Sequence, residues 1–560
     1  MASLIVVKIV GAVFKLPLAS MLGETGSGYF NSAYTIFNTV YSCTVTGLSA
    51  GVARMVAENV AKGRYRDVKR IFRIATMVFL VVGLLGFLIM ALAARGLANL
   101  MHSPNAFWAI IMLSPAIFFC CLMASYRGYY EGLSNMMPTA VTQVVEVMTK
   151  LVMGLLFANL VMNAAAKEFA ASGTVFGTAC ESAEMASVLA APFGAAGAVL
   201  GVTISTLIGF IYIFLRYKIK GDAITKAMVK NSPNCKRGKV LLYHLIKIAI
   251  PITLSSVIVQ LSTLIDVFTI QGRLASAISS SPELMNGLYG SYLMESELMP
   301  EFLYGVFANC VNLFNLVPAF TNIFGKSALP NVTSAWTMKD RRLLKLNVES
   351  TIRMTALIAA PMAFGISFMA KPILSVIYPN LTRTIALGPH LLSILGIGAL
   401  FLAVIGPINA IMQGIGRMDL PVKYMCAGIC VKIVLNVILV GIPSINILGG
   451  TISTLCCYAL IAFLSVNKLR NIITVSLDYK SIFLKPIISG LICGIAAFLS
   501  YNALTNIKVN SIITIVSIGI GGLFYILSLA LLNAISRDDI NMLPKGNKIA
   551  KVLEKLHIIR

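Results

Sequence analysis

Charge is what this sequence has least of, and acid least of all: 21 Asp and Glu stand against 45 Lys and Arg in 560 residues, and only 12% of the chain is charged while 58% is hydrophobic. A water-soluble chain of this length would need far more charge on its surface, so a soluble domain is excluded. The mean hydropathy of +0.87 fits an all-α polytopic membrane protein instead. Histidine is also sparse. His102, His244, His390 and His557 stand apart from one another, and there is no HExxH pair, phosphate-cradling GxxxxGK[ST] loop or GxSxG elbow. The loops leave no room for a soluble catalytic domain, so no enzyme activity, metal or other cofactor is expected. Any transport would draw on an ion gradient, the membrane potential or the substrate's own gradient. The eleven Cys fall mostly inside apolar runs, Cys120-Cys121 and Cys456-Cys457 side by side. They show neither a disulfide framework nor metal-ligand spacing, and reduced thiols are expected.

A net charge of +24 would suggest a nucleic-acid partner for a soluble chain. Here the basic residues sit in short loops between apolar runs, as the positive-inside rule requires, and no nucleic acid is expected. Crossing a membrane takes about 20 apolar residues per helix. That length divides the chain into about fourteen segments: 4–22, 30–53, 74–96, 106–126, 139–163, 191–215, 244–270, 301–325, 351–371, 388–412, 422–442, 448–467, 485–504 and 511–533. The first carries Lys8 and Lys15 and is followed at once by a second, so it reads as a retained helix and not a signal peptide. Basic clusters follow the even-numbered segments: Lys62 to Arg73, Arg216 to Lys239, Lys339 to Lys345, and the tail from Lys545 to Arg560. Both termini are therefore expected on the cytoplasmic side.

The second half replays the first. At a common offset of about 280 residues, Lys62 answers to Lys339, Arg73 to Arg353, and Gly132 with Pro138 to Gly414 with Pro421. The sixth and twelfth segments share TISTL, at Thr203–Leu207 and Thr451–Leu455, each preceded by Leu-Gly. Two six-helix lobes in the same orientation follow, residues 1–220 and 244–470, joined by a basic cytoplasmic linker, 221–243. Residues 471–535 form an added two-helix unit, and 536–560 a basic tail.

An ionisable residue inside a bilayer is costly, so each is a candidate for the substrate path. Lys8 and Lys15 lie on one face of the first segment, where snorkelling is the structural alternative. Arg54 with Glu58, and Glu146 with Lys150, are spaced i,i+4 and are open to reading as self-neutralising pairs. Lys247 and Arg353 lie near helix ends, Lys432 deeper. Asp266 admits a cation site or an ion pair with Arg273. Basic groups predominate in the segments, which suits an anionic substrate more than a cationic one.

The chain resembles the polysaccharide-exporter branch of the multidrug/oligosaccharidyl-lipid/polysaccharide (MOP) superfamily, which holds the stage V sporulation protein B and MurJ-type lipid II flippases. The likeness runs through Lys8-Ile9-Val10-Gly11, Lys15-Leu16-Pro17, Gly28-Tyr29-Phe30 and Arg54 to Glu58. It continues in Gln143 with Glu146 and Lys150, Leu264-Ile265-Asp266, and Gln413-Gly414 to Pro421. It implies a fourteen-helix, two-lobed fold with alternating access in a bacterial plasma membrane. It also implies a cationic cavity for the pyrophosphate and sugars of an undecaprenyl-linked precursor, and a groove for the lipid tail at the last two helices. By this resemblance Lys8, Lys15 and Arg54 stand where the family places basic residues, and Glu146 with Lys150 matches its fifth-helix Glu and basic pair; Lys150 and Lys247 are further expected phosphate contacts. Glu58, Glu146 and Asp266 are the ion-site or structural carboxylates. Ser49 replaces the family's usual Pro, and the few residues before the first run leave the depth of Lys8 open. The leading expectation is a lipid II flippase. The alternatives are export of another lipid-linked polysaccharide, a MATE-like drug antiporter, or a scaffold of cell-envelope or spore-cortex synthesis. The expected partners are a lipid-linked oligosaccharide, membrane lipids and envelope-synthesis proteins.

Overall fold

The computed structural model describes residues 2–534 apart from 223, 294–296, 418, 474–476 and 506–510. The basic tail expected at 536–560 lies outside the described residues, as does the side chain of Lys8. The chain forms two compact units, Met1–Gly305 and Val306–Arg560.

In the first unit, α1 (Ala2–Tyr41) holds the first expected segment and half of the second. It breaks at Gly23, whose φ of 70° suits a residue without a Cβ. A wide π-type turn at Ser42–Thr46 separates it from α2 (Gly47–Ala61). Then come α3 (Tyr65–Leu100), α4 (Phe107–Gly132) and α5 (Met137–Ser172), the last opened by Pro138 and closed by Gly173 in the left-handed region. The two-residue strands β1 (Thr174–Val175) and β2 (Thr178–Ala179) pair antiparallel in the loop that leads to α6 (Ala183–Lys220). Ser182 caps α6 by accepting the Met185 amide at 3.1 Å. The short α7 (Lys226–Lys230) and α8 (Gly238–Ser280) follow, then α9 (Pro282–Tyr289) and α10 (Met299–Phe314), within which the boundary of the unit falls.

The second unit continues through α11 (Leu316–Thr337), α12 (Arg341–Phe368), α13 (Ala370–Ile377), α14 (Thr382–Gly414), α15 (Asp419–Leu435), α16 (Ile447–Ile473), α17 (Lys485–Thr505) and α18 (Ser511–Leu531). Further π-type turns sit at Asn436–Val440 and Lys480–Leu484. Its core gathers Val348, Ile352, Ile408, Ile411, Leu469 and Ile482 from four of these elements.

Among the described residues twelve helices have the length and apolarity to cross a membrane, and they match the third to fourteenth expected segments. The fold is thus all-α, with about twelve such helices among the described residues. The first two expected segments lie on either side of the Gly23 break in α1, and the π-type turn at Ser42–Thr46 falls inside the second. The helix α3 shows how such a helix partitions: Ala75, Phe79, Gly83, Gly86, Met90 and Ala94 are buried along one stripe against α4. Met77, Leu85, Ile89 and Leu92 stay exposed on the other face, as lipid contact demands.

The duplicated Leu-Gly-x-Thr and Leu-Gly-Gly-Thr starts have matching structural roles. A Cβ at Gly201 of α6 would meet the Gly154 backbone of α5 at 2.4 Å, and one at Gly449 of α16 would meet the backbone of Leu439 at 2.6 Å. In bilayers, where lipid competes for apolar contact, such small residues let helices approach closely. Both α6 and α16 therefore close onto the preceding element at a glycine.

Candidate functional site

The residues given a site role from the sequence fall in the first unit, while Arg353 and Lys432, also ionisable within expected segments, fall in the second. On α5, Lys150 points at α1: its Nζ donates to the Tyr34 hydroxyl at 2.9 Å and lies 4.3 Å from the Tyr34 ring centroid and 5.0 Å from that of Phe14. Phe14, Phe30, Tyr34, Phe37 and Tyr41 continue as an aromatic ladder along α1. Lys15, half-buried, directly follows Phe14 on that helix and has polar company of its own. Beyond the Gly23 break, Ser27, Asn31, Thr35 and Thr39 form a polar stripe, each bonding back to the carbonyl four residues earlier.

Glu146 is not paired with Lys150. Its Oε2 instead accepts from the Arg127 guanidinium of α4 at 2.8 Å, with the two side chains only 12% (Arg127) and 25% (Glu146) exposed. Lys150 consequently has no ion-pair partner among the described residues. Helix geometry would have allowed the i,i+4 contact, but the neighbouring helix supplies a planar, charge-matched donor and Lys150 turns toward hydroxyl and rings.

The other expected pair is likewise replaced. Glu58 accepts from Lys62 at 2.7 Å, and that hydrogen bond holds its carboxyl below the usual range. Arg54, one turn earlier, is exposed. The helix α2 packs on α8, where Lys247 is exposed and His244 is close enough to act on Glu58 electrostatically. Arg54 and Lys247 thus stand on two helices in contact, and Lys15 and Lys150 on another such pair. Asp266 is buried on α8, electrostatically coupled to the Tyr304 hydroxyl.

Two features of this unit were missed from the sequence. Glu301 is 2% exposed and accepts from the hydroxyls of Tyr29 and of Ser103, the latter at 2.8 Å, while Thr25 donates to Glu297. The second is the expected linker, which does not hang free. Arg66 donates to the carbonyls of Val229 and Lys230 at 3.0 and 3.1 Å, and Asp67 accepts the Lys236 amide at 2.8 Å. Asp222 takes bonds from Lys69 and Tyr129; burial pushes its carboxyl upward, but those donors outweigh it and hold it low. No group of three or more His, Cys, Asp and Glu side chains that could hold a metal ion occurs among the described residues.

A family of polysaccharide biosynthesis proteins matches residues 1–336, and the MatE family matches 297–438. The lipid II flippase MurJ of Bacillus subtilis is 22% identical over 462 residues, 80% of this chain and 77% of that protein. Stage V sporulation protein B of the same organism is 20% identical over 550 residues, 96% and 95% of the two chains. The solved lipid II flippase MurJ in an inward closed conformation superposes with a TM-score of 0.64 at 14% identity, covering 95% of this chain and 97% of that one. An inward-facing multidrug resistance MATE family transporter of the MOP superfamily gives 0.63 at 14% identity, covering 84% and 94%. Likeness at this identity establishes the fold, that of the MurJ and MATE transporters.

Proposed function

We propose, from the premise that the chain belongs to the polysaccharide biosynthesis protein family, that it is a flippase for an undecaprenyl-pyrophosphate-linked saccharide. Lipid II is its first candidate substrate, carried by alternating access from the cytoplasmic to the outer leaflet of a bacterial plasma membrane. The observation that supports this best is Lys150, an ammonium at membrane depth held by a hydroxyl and two rings while the nearby acid is taken by Arg127. An ammonium whose charge no carboxylate cancels is suited to a diphosphate, which cannot be desolvated without opposing charge.

In this reading Lys8, Lys15 and Arg54 meet the phosphates, with Lys150 and Lys247 assisting. Glu146 neutralises Arg127 and Glu58 neutralises Lys62, and Asp266 is the candidate for a coupling ion. The two six-helix lobes, 1–220 and 244–470, carry the alternation, and the last two helices receive the lipid tail. Both termini face the cytoplasm.

The test is translocation of fluorescent lipid II in proteoliposomes, with wild type beside Lys15→Ala/Arg54→Ala. Flipping that is lost in a folded double variant supports the cationic path. A folded wild type that moves no lipid II, with or without an ion gradient or voltage, removes the lipid II assignment. The match of residues 297–438 to the MatE family favours a second reading, drug antiport, which uptake of a cationic dye driven by an ion gradient would separate. A scaffold of envelope synthesis would keep its role in cells when Lys15 and Arg54 are neutralised together.

A further inference from the structure

The second unit carries an open apolar slot of about 580 Å³ formed by α12, α14, α16 and the turn into α17. One wall is a single stripe of α16: Ala459, Ala462, Phe463, Val466, Asn467 and Arg470, the 3–4 spacing of one helix face. The turn into α17 adds Tyr479, Phe483 and Ile487 to the lining, and α14 adds Leu400 and Val404. Two alanines on the stripe leave the hollow, and Phe463 at its rim is 68% exposed.

The slot has a length and a polarity. From Ala459 to Arg470 the stripe extends about 16 Å at 1.5 Å per residue, close to the roughly 15 Å of one leaflet in a hydrocarbon core of about 30 Å. The Ala459 end is wholly apolar, and the other end carries Asn467, Arg470 and Tyr479. Around that end stand Lys480, exposed, and Arg353, one turn from the lining Ala356, whose Nη1 donates to Ser481 Oγ at 3.1 Å. The acids there are occupied: Asp478 accepts the Ser481 amide at 3.3 Å, while Glu349 accepts the Asp478 amide at 3.0 Å and lies 3.8 Å from Lys345. Among the described residues here, Arg470, Lys480, Arg353 and Lys345 stand against Asp478 and Glu349, so this end is cationic and favours an anion.

A crevice one leaflet deep, greasy throughout and cationic at its interfacial end, matches one kind of occupant. We propose that it holds an acyl chain of an anionic glycerophospholipid, with the phosphate against Arg470, as a resident lipid separate from the one carried. The slot has the volume of an ordinary ligand pocket, and the Arg470 side chain is exposed to reach a headgroup. This rests on the membrane-spanning fold and not on the identity of the transported substrate.

The experiment is native mass spectrometry of the full chain with phosphatidylglycerol and phosphatidylcholine of identical acyl chains at equal concentration. One retained phosphatidylglycerol is expected in preference to phosphatidylcholine. Arg470→Gln, at an exposed position, should cut that preference about fivefold, the effect of one basic residue near an anionic headgroup. Ala459→Trp should block the hollow and lose the lipid with Arg470 intact. Should Ala459→Trp fail to fold, the Arg470→Gln comparison decides alone. Equal retention of the two lipids, or a preference unchanged by Arg470→Gln, would overturn the proposal. So would displacement of the bound lipid by equimolar undecaprenyl phosphate, which would hand the slot to the carried lipid.

Discussion

Removing either member of the Arg127–Glu146 pair should cost nearly as much as removing both. Two unit charges about 4 Å apart attract by roughly 4 kcal/mol at an effective dielectric near 20. Breaking a fully buried pair typically costs about 3–5 kcal/mol because the orphaned charge stays buried. Glu146 retains 25% exposure, so about 2 kcal/mol is the appropriate figure for each single variant. Arg127 leans on this bond, for its Nε is buried with no hydrogen-bond partner. Arg127→Gln and Glu146→Gln should each destabilise by about 2 kcal/mol, and the double variant by about 2 as well, giving a coupling energy near 2 kcal/mol. Reversible unfolding of the full chain in mixed micelles, titrated with sodium dodecyl sulfate, measures all four corners of the cycle. The double variant should also retain translocation, since the charges removed cancel each other. Additive single effects, with coupling under about 0.5 kcal/mol, would refute the pairing and return Glu146 to Lys150.

Lys150→Met should leave the fold intact and lower translocation about tenfold, the worth of one charge-assisted contact of roughly 1.4 kcal/mol; an unchanged rate in proteoliposomes would remove Lys150 from the path. Gly201→Ala and Gly449→Ala, whose new Cβ atoms meet backbone at 2.4 and 2.6 Å, should each destabilise by about 1–3 kcal/mol in the same unfolding titration. Gly96→Ala, with nothing within 4 Å of the added carbon, should stay within about 0.5 kcal/mol of wild type. The Asp222 carboxyl is held low in the fold, so its contribution is present above the unfolded value of about 3.9 and is lost as pH falls through the lower folded value. Hydrogen exchange in residues 221–237 should therefore rise only in acid for the wild type, and already at pH 7 in Asp222→Asn.

Segment order was legible because hydropathy is a property of the chain itself: apolar runs separated by Lys62–Arg73, Arg216–Lys239 and Lys339–Lys345 needed no tertiary knowledge. The Leu-Gly starts at Gly201 and Gly449 could be read as a repeat, though not as points of helix contact. What could not be read were preferences decided between helices. Glu146 had a perfect local partner in Lys150 and took Arg127 instead, since the neighbouring helix offered a guanidinium at 2.8 Å. Tyr34 lies within the second expected segment, yet its hydroxyl mattered only once α1 and α5 were side by side. The break between the first two expected segments falls at Gly23, the residue that follows the first run, where one positive φ kinks the chain.

The clamped connection between α6 and α8 bears on how this protein can be cut and rejoined. A connection expected to link two halves of a chain invites division there, and exposed loops are the usual sites for split reporters, tags and permuted termini. Here the obvious break is a poor one. Arg66, Asp67 and Lys69 grip residues 222–236 at both ends, so a domain inserted there must displace a hydrogen-bonded strap. Fragments separated at that point would each carry half of an interrupted polar seam. The β1–β2 turn at Phe176 and Gly177, exposed and held by no ion pair among the described residues, is the better place to open the chain.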